Sequence, residues 1–517
     1  MRKKINYMIL GLCAMGFSSC EKFLMETSGD LLVPQSVVEF VPLLYGEGYP
    51  RTFNVDAAWI TLMTDDVEIG PFERPTAEGQ TGFDLPYGGE GRRAFRWEAD
   101  MEGNGLLDNF WAQRYRNILG CNTIISRLPY MIYTEAQAGL FHSLAAQAYT
   151  LRAYHYFALI NVYALPWSPE NLGMPGVVWR DSPEISTESR RRSTIGEIYA
   201  HIEADLARSE EHMAKAQASA NRHLIGTVAL QLFKTRVALF QEKWDEVIRI
   251  GENFLIDNAS IHNLNLWRED DMGLESAAHP YIFDLNNNPE IVFTFGNAQG
   301  VRFLAPGTSV WSFGFRVSRV VPYGHPNHPA PNVPLLSLYA EDDLRRLAYF
   351  RRDIMLDGVV SRFQWSYPVK YKAASAGYAE NWRTVEVYLN VAEAHARRAS
   401  GVSQEAITLI NILRRNRIRT ATFEEKTVED FANKEELIKF IWDERRRELC
   451  FEEHHRWWDL RRQGMPRIEH REFVSNTTFE VYILPQGHPN YVLQIPRSET
   501  DFNEHIVGNN REHIPPQ

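Results

Sequence analysis

The stretch ERRRELCFEEHHRWWDLRRQG, Glu444 to Gly464, decides the fold of this 517-residue chain. Its charged and aromatic residues recur at helical spacing, and the pattern predicts one continuous helix. Asp443 and Arg447 lie four residues apart and are predicted to pair on its surface. The same spacing predicts a pair between Glu452 and Arg456. We interpret the run as a buried, salt-bridged helix that identifies the fold rather than a binding site.

Four stretches, in order along the chain, resemble the SusD/RagB family of surface lipoproteins, which capture nutrients for an outer-membrane importer. The run above is similar to the family signature ERR-x-EL-x-FEG-x-R-W-x-DLRR, with Glu453 and His454 in place of the usual glycine region. The other three are AYTLRAYHYFALINVYALP (Ala148 to Pro166), RTVEVYLNVAEA (Arg383 to Ala394) and YVLQIPRSETDFN (Tyr491 to Asn503). Four ordered matches are more specific than any one of them.

Apolar residues spaced three and four apart predict paired amphipathic helices in two blocks of the chain. The predicted helices run from about Leu107 to Leu128, Leu140 to Tyr163, Ile225 to Phe240, Lys243 to Phe254, and Ala406 to Arg417. Short β-like runs lie at Ile291 to Phe295, Phe363 to Val369, Glu480 to Pro485, and Tyr491 to Pro496. The resemblance implies a mostly α-helical, tetratricopeptide-like repeat scaffold with long loops and a few short β-strands.

The N-terminus has the layout of a secretory signal peptide over residues 1–19, with three basic residues followed by an apolar stretch and small residues. The apolar stretch, Tyr7 to Phe17, is too short to span a bilayer. The sequence FSSC resembles a lipoprotein processing site, which predicts lipidation of Cys20 and a tether over residues 20–34. A plain secretory signal that ends nearby is the alternative.

Composition and charge limit the remaining choices. The formal net charge of −11 disfavours a polyanion such as nucleic acid as partner. No Gly/Ser linker divides the chain, so residues 35–517 are predicted to form a single body. Within it, helical repeats are expected at about 107–256 and 381–464, and loop-rich insertions at about 83–109 and 267–374. Cys121 and Cys450 are compatible with free thiols or with one disulfide.

The motifs of common enzyme classes are absent, including the Walker loop, GxSxG, HExxH and GxGxxG. No catalytic residue, cofactor or metal ion is therefore predicted. Adjacent carboxylates such as Asp65 and Asp66 could serve a glycosidase, whose chemistry needs two acids at a suitable separation. With 66 acidic residues in the chain, however, adjacent pairs arise easily by chance.

Two loop-rich regions combine aromatic rings with hydrogen-bonding side chains, the mixture that suits the C–H faces and hydroxyl groups of sugars. The resemblance also implies that ligand binds on loops outside the helical repeats. The candidates in the first region, Phe83 to Asn109, are Tyr87, Arg92, Arg93, Phe95, Trp97 and Asn104. The candidates in the second region, Asn297 to Tyr323, are Trp311, Phe313, Phe315 and Tyr323. A buried aromatic would instead serve packing.

The resemblance implies a surface-exposed, lipid-anchored protein of the outer membrane that binds oligosaccharides and delivers them to a SusC-like TonB-dependent transporter. It implies no bond-making chemistry. A peptide cargo, as in RagB-like proteins, is the first alternative, and a helical-repeat scaffold that binds only protein is the second. A surface glycosidase is the least favoured. The aromatic residues of the two loop regions tilt the prediction toward glycan.

Overall fold

A computed structural model describes residues 34–50, 58–69, 90–102, 106–184, 189–272, 280–295, 315–317, 332–351, 367–368, 370, 380–473 and 478–517. Its α-helices are α1 (Val37–Leu43), α2 (Ala58–Thr61), α3 (Glu90–Phe95), α4 (Leu106–Arg127), α5 (Ala138–Tyr163), α6 (Ile195–Met213), α7 (Thr227–Phe240), α8 (Trp244–Asp257), α9 (Arg345–Ala348), α10 (Thr384–Arg398), α11 (Gln404–Arg415), α12 (Lys434–Leu449), α13 (His455–Arg462) and α14 (Arg497–Thr500). The strands are β1 (Val67–Ile69), β2 (Ile291–Phe295), β3 (Phe315–Val317), β4 (Phe350–Arg351), β5 (Tyr367–Pro368), β6 (Glu380–Arg383), β7 (Ile468–Phe473) and β8 (Phe479–Leu484). The mostly helical fold is confirmed.

The helices pack in two groups, around a large apolar core and a smaller second one that lies between α10, α11 and α12. In the first group α5 lies between α4 and α6, and nearly all of its side chains from Leu144 to Tyr163 are buried. In the second group α10 packs against α7, α8, α11 and α12. An apolar helix that is buried on every side is typical of the centre of a large helical protein. The helices predicted near these positions are confirmed, with ends that differ from the prediction by at most three residues.

The contact between α8 and α10 depends on Gly251. A Cβ atom placed on Gly251 would lie 2.2 Å from Cγ2 of Val391 and 3.3 Å from Cγ1 of Val387. The two helices therefore approach more closely than any side chain at this position allows. Such a small residue at a helix–helix contact fits the tetratricopeptide-like arrangement expected of the helical repeats.

Replacing Gly251 by alanine is expected to lower the free energy of unfolding by about 1–3 kcal/mol, because the new methyl group overpacks the contact with α10. The additional replacement Val391→Ala should recover part of this loss, since it removes the clashing methyl groups. Urea unfolding of the two single variants and the double variant forms the double-mutant cycle that measures this coupling. Strictly additive losses would show that the helices separate freely.

The run from Glu444 to Gly464 forms two helices, so the prediction of one continuous helix is wrong. Helix α12 ends at Leu449 and α13 begins at His455. Between them Phe451 and Glu453 adopt φ angles of +58° and +43°, in the left-handed region that interrupts a helix. Glu453 stands in the usual glycine region of the family signature, and a glycine would adopt this conformation without strain.

The two predicted pairs along this run are also wrong. Arg447 pairs with Glu444, and Asp443 pairs instead with Lys439. Arg456 pairs with Asp65, far away in the sequence. The break between the helices explains the second error, because Glu452 lies in the break and Arg456 lies in α13. Asp443 and Arg447 both lie in α12, where each bonds to a different neighbour on the same helix.

Glu448 is the centre of a buried ion network between α12 and the elements packed on it. Its carboxylate accepts hydrogen bonds from Arg345, Arg383 and Arg417 at distances between 2.8 and 3.1 Å. The hydroxyl of Tyr349 adds a further bond of 2.9 Å. The other charged members of this Glu448 network are Asp343, Glu290, Glu444, Glu452, Lys370 and Arg447. Carboxylates and cations are present in equal number, so the network is electrically balanced.

The described strands form four antiparallel pairs, β1–β3, β2–β6, β4–β5 and β7–β8. The β-like run at Ile291 to Phe295 is confirmed, and the run at Glu480 to Pro485 corresponds to β8. The strand predicted at Tyr491 to Pro496 is wrong, because a short 3-10 helix ends at Tyr491 and extended chain without strand pairing follows. Most of the run from Phe363 to Val369 lies outside the described residues, apart from β5.

The structure contains no helix in its described ranges that is both long and apolar enough to cross a membrane. Cys121 and Cys450 are free and buried. The sequence left open whether they form a disulfide, and the structure shows that they do not. Burial raises the pKa of both thiols above the ordinary value, which keeps them protonated.

Candidate functional site

The two loop regions predicted to bind ligand meet at one place in the fold. The second region contains β3, which pairs antiparallel with β1 in the register Val67 to Val317. Strand β1 also contacts β7. The first region contains α3, and Arg92 of α3 and Arg96 directly after it pair with Glu472 on β7. We call the area formed by α3, the β7–β8 hairpin and the β1–β3 pair the loop-end surface.

Glu472 connects α3 to the hairpin. Its nearly inaccessible carboxylate lies 2.6 Å from Nε of Arg92 and accepts a hydrogen bond of 2.5 Å from Nε of Arg96. The guanidinium of Arg96 also lies 4.9 Å from the ring centroid of Tyr482 on β8. A cation above an aromatic face gains electrostatic attraction from the ring quadrupole. These contacts fix α3 on the hairpin although more than 370 residues of chain separate them.

Arg92 and Arg93 remain partly open to solvent. The exposed fraction of the side chain is 39% for Arg92 and 35% for Arg93. Arg93 donates from Nη1 to the backbone carbonyl of Glu102 at 2.6 Å, which holds the following loop against α3. Each guanidinium carries more donors than these contacts require. The loop-end surface therefore presents oriented N–H groups, which can bind hydroxyl or carboxylate oxygens.

Phe95 and Trp97 are part of the core, which corrects the prediction that they contact ligand. Both are fully buried, and the ring of His470 lies between theirs with centroid distances of 4.1 Å on each side. The indole N–H of Trp97 donates to the carbonyl of Met63 at 2.9 Å. This satisfied, buried environment leaves neither ring a face for a sugar. Their role is to fasten α3 to β7.

His470 is a neutral structural residue. Its Nδ1 lies 2.7 Å from the carbonyl of Phe95 and its Nε2 lies 3.0 Å from the carbonyl of Thr64. Burial lowers its pKa to about 4, although the two carbonyls act in the opposite direction. The imidazole therefore links the first loop region to the segment that leads into β1.

The remaining candidates are only partly described. Phe315 lies at the start of β3, where the structure describes its backbone alone. Five candidates and the predicted lipidation residue lie outside the described residues, namely Tyr87, Asn104, Trp311, Phe313, Tyr323 and Cys20. The sequence predicted β8 but not β7 or the place of their hairpin in the site, because nothing in the local pattern indicates that it lies beside residues near position 96.

Asp65 and Asp66 are placed for structure rather than for glycosidase chemistry. Asp65 accepts two hydrogen bonds of 2.7 Å from Arg456, and Asp66 accepts one of 2.7 Å from Arg446. Desolvation opposes ionisation of both, but the two arginines outweigh it at Asp65 and lower its pKa, whereas desolvation prevails at Asp66 and raises its pKa. Both carboxylates are buried, so a substrate has no access to them. They attach the N-terminal part of the chain to α12 and α13.

Two family models match separate parts of the chain. Residues 358–512 match the model of the SusD family, and residues 94–230 match a model described as "Starch-binding associating with outer membrane". Over these ranges the chain is similar to the SusD/RagB family. The resemblance found in the sequence is thereby confirmed, and the first model includes the run from Glu444 to Gly464.

Relatives of known sequence or structure extend this similarity over nearly the whole chain. SusD-like protein P2 of Formosa agariphila is 25% identical over 98% of this chain and 99% of its own length. The crystal structure of a SusD-like carbohydrate binding protein from Bacteroides vulgatus covers 92% of this chain, with 98% of its own length matched, a TM-score of 0.67 and 18% identity. A SusD superfamily protein from Bacteroides thetaiotaomicron covers 92% of this chain, with all of its own length matched, a TM-score of 0.68 and 17% identity. The two solved structures establish the SusD fold for this chain.

Proposed function

We propose that this protein binds oligosaccharides at the outer face of the outer membrane and delivers them to a SusC-like TonB-dependent transporter. The observation that carries the proposal is the pair of family models, one in each half of the chain, of which one is described as starch-binding and associated with the outer membrane. In this proposal the protein binds and releases its cargo without making or breaking a covalent bond.

The loop-end surface is the proposed glycan site. Both loop regions chosen for their aromatic and hydrogen-bonding residues reach it, one through α3 and the other through β3. Partly exposed guanidinium groups of Arg92 and Arg93 supply donors for sugar hydroxyl oxygens. The affinity need only be modest, about −4 to −8 kcal/mol or millimolar to micromolar, because the cargo must leave again for transport.

The anchor of the proposed protein is a lipid on Cys20. A lipid there would attach the body to the membrane without a spanning helix, and more than one acyl chain makes such attachment stable. The segment between Cys20 and the described body is the proposed tether. Membrane fractionation of cells that carry Cys20→Ala tests this part, because retention of that variant in the membrane fraction would contradict a lipid anchor at this residue.

Calorimetric titration of the purified protein tests the cargo. A panel of polysaccharides and oligosaccharides is compared with a peptide digest, under conditions where the melting transition shows a folded sample. A glycan-specific heat would support the proposal and name the cargo class. A peptide-only response would replace glycan by peptide, whereas no response from either class would favour a scaffold that binds only protein.

Replacing Trp311 by alanine is expected to weaken glycan binding about tenfold or more, equivalent to about 1.4 kcal/mol, because a sugar face loses its aromatic platform. Trp311 precedes the first residue of β3 by four positions in the sequence. The chain that joins it to the loop-end surface is therefore at most roughly 14 Å long. The measurement is the dissociation constant for a glycan that binds the wild type. Tyr130→Ala, which removes an exposed aromatic ring outside the two loop regions, is the matched control.

Three results are distinguishable in that comparison. If Trp311→Ala lowers the affinity for glycan and leaves the melting temperature unchanged, the residue belongs to the site. An unchanged affinity removes Trp311 from the site. A lowered melting temperature assigns its ring to packing instead.

A further inference from the structure

An exposed apolar patch lies where the described body begins. Among the described residues, twelve large hydrophobic side chains are exposed, and half of them belong to α1, the turn after it, α4 and the turn that follows α4. These six residues are Val38, Tyr45, Leu119, Tyr130, Ile132 and Tyr133, and we call them the N-terminal patch. The grouping is uneven, since scattered single exposed hydrophobics are the ordinary case.

Backbone contacts bring the segments of the N-terminal patch together. The N–H of Val37 donates to the carbonyl of Ile132 at 3.1 Å, and the N–H of Ile132 donates to the carbonyl of Gln35 at 2.9 Å. These bonds join the start of the described body to the turn after α4. The backbone is satisfied, yet the side chain of Ile132 remains 61% exposed.

A close approach fixes the other side of the patch. A Cβ atom on Gly120 would lie 2.5 Å from the carbonyl oxygen of Glu47, so glycine allows the turn after α1 to rest directly on α4. Leu119, beside this glycine, and Tyr45 in the turn are both exposed. The contact between α4 and the turn after α1 therefore leaves an apolar side chain of each segment exposed to solvent.

The place of the N-terminal patch identifies what covers it. Only 15 residues separate Gln35 from Cys20, so the chain between them can span at most about 50 Å. We propose that the N-terminal patch docks on the lipid surface of the membrane to which Cys20 is attached. This inference rests on the proposed function in one respect, namely the lipid anchor at Cys20.

The residue types of the patch suit this occupant. Tyrosine rings are amphipathic and favour the headgroup level of a bilayer, while isoleucine, leucine and valine can enter its apolar edge. A tether raises the effective concentration of the patch at the membrane, so a weak intrinsic affinity is sufficient for docking. Docking through this face would leave the loop-end surface, which is built from other elements, available to ligand and transporter.

The test measures the depth of one spin label in the membrane. Tyr130→Cys and Leu266→Cys are compared in the full-length protein, because the exposed fractions of the native side chains are nearly equal, 77% and 78%. The native Cys121 and Cys450 are buried and do not compete for the label. The protein is bound to vesicles of phosphatidylethanolamine and phosphatidylglycerol, and collision rates are measured with oxygen and with a water-soluble nickel chelate.

After vesicle binding, the ratio of the collision rate with oxygen to that with the chelate is expected to rise several-fold for the label at position 130. The same ratio should not change for the label at position 266. Adding Ile132→Ser should reduce this shift without changing the melting temperature, because that side chain is largely exposed. The matched control Ile256→Ser removes an exposed apolar side chain from α8 and should leave the shift unchanged.

Other outcomes overturn the proposal in distinguishable ways. Vesicle-bound protein in which both labels remain aqueous excludes docking on lipid, and protection of position 130 only in native membranes would then assign the patch to a protein partner. A label at position 130 that is already shielded without vesicles shows that the chain covers its own patch. If the protein does not bind vesicles, the lipid anchor fails. The same labels are then measured in a protein with Cys20→Ser, held by an N-terminal polyhistidine tag on zinc-chelating lipids, which are diamagnetic, and aqueous labels again exclude docking.

Discussion

Replacing Glu448 by glutamine is expected to lower the free energy of unfolding by about 3–5 kcal/mol, a large fraction of the roughly 5–15 kcal/mol that stabilises a typical protein. The carboxylate is fully buried and accepts hydrogen bonds from Arg345, Arg383 and Arg417. Glutamine keeps the shape of the side chain but removes its charge. Arg345, Arg383 and Arg417 would keep their other carboxylate partners, but the Glu448 network would then hold one more cation than carboxylates. A buried charge that is not balanced by a counter-ion is costly.

The pKa of Glu448 supports this expectation. Desolvation alone would raise it, but the three arginines outweigh desolvation and hold the pKa of this carboxyl well below its ordinary value. The residue is therefore ionised throughout the physiological range. An amide in its place presents N–H donors toward the N–H donors of the arginines, so the loss includes repulsion as well as missing attraction.

Urea unfolding of Glu448→Gln at neutral pH measures the loss. Glu435→Gln is the matched control, because Glu435 lies on the same helix α12 but is exposed, and its replacement should change stability by less than about 0.5 kcal/mol. A Glu448→Gln protein as stable as the control would mean that the cations of the Glu448 network find other partners or that water enters the network.

The positions of the long helices could be predicted from the sequence because their apolar periodicity is local. Helices α4, α5, α7 and α8 each begin and end within a few residues of the predicted limits. The break between α12 and α13 could not be predicted in the same way. It places Glu452 against Arg383, and this partner is 69 residues away in the chain. A long-range contact of this kind overrides the helical preference of the intervening residues.

The candidate site was predictable as two regions but not residue by residue. Aromatic and charged composition selected two stretches, parts of which the structure brings together at the loop-end surface. Composition does not distinguish a buried ring from an exposed one, however, and Trp97 proved to be held in the core by Met63 and His470. The partner elements β1 and β7 come from opposite ends of the chain, so no local pattern could indicate their contact.

Lowering the pH from about 4 to about 2 is expected to reduce the free energy of unfolding by at least about 2 kcal/mol through Glu444 alone. Desolvation would raise the pKa of this buried carboxyl, but Arg345 and Arg447 outweigh it and lower the pKa from 4.5 to about 2. A carboxyl whose pKa is lower in the folded protein contributes stability above its unfolded pKa. That contribution is lost as the pH falls from 4.5 toward 2, because the unfolded chain takes up the proton first.

The chosen window isolates the groups with lowered pKa. Glu453 has a raised pKa because desolvation prevails there. Its contribution to the free energy of unfolding therefore changes at pH values above the pKa of the unfolded chain rather than below it. Below about pH 4 its effect is therefore nearly constant, whereas Glu448 and Asp459, with lowered pKa values, add to the loss from Glu444. Stability should fall steadily through this range without a compensating gain from the raised groups.

Urea unfolding at several pH values between about 4 and 2 measures the slope, and salt distinguishes its origin. Glu444 is buried, so about 0.5 M sodium chloride should leave most of the slope in place, whereas repulsion among surface charges would be screened. Glu435→Gln should retain the wild-type slope, because the residue that it replaces is exposed on α12. A flat profile, or a slope that salt abolishes, would show that these carboxylates do not remain ionised in the folded protein and that the Glu448 network does not hold α12 in place through charge.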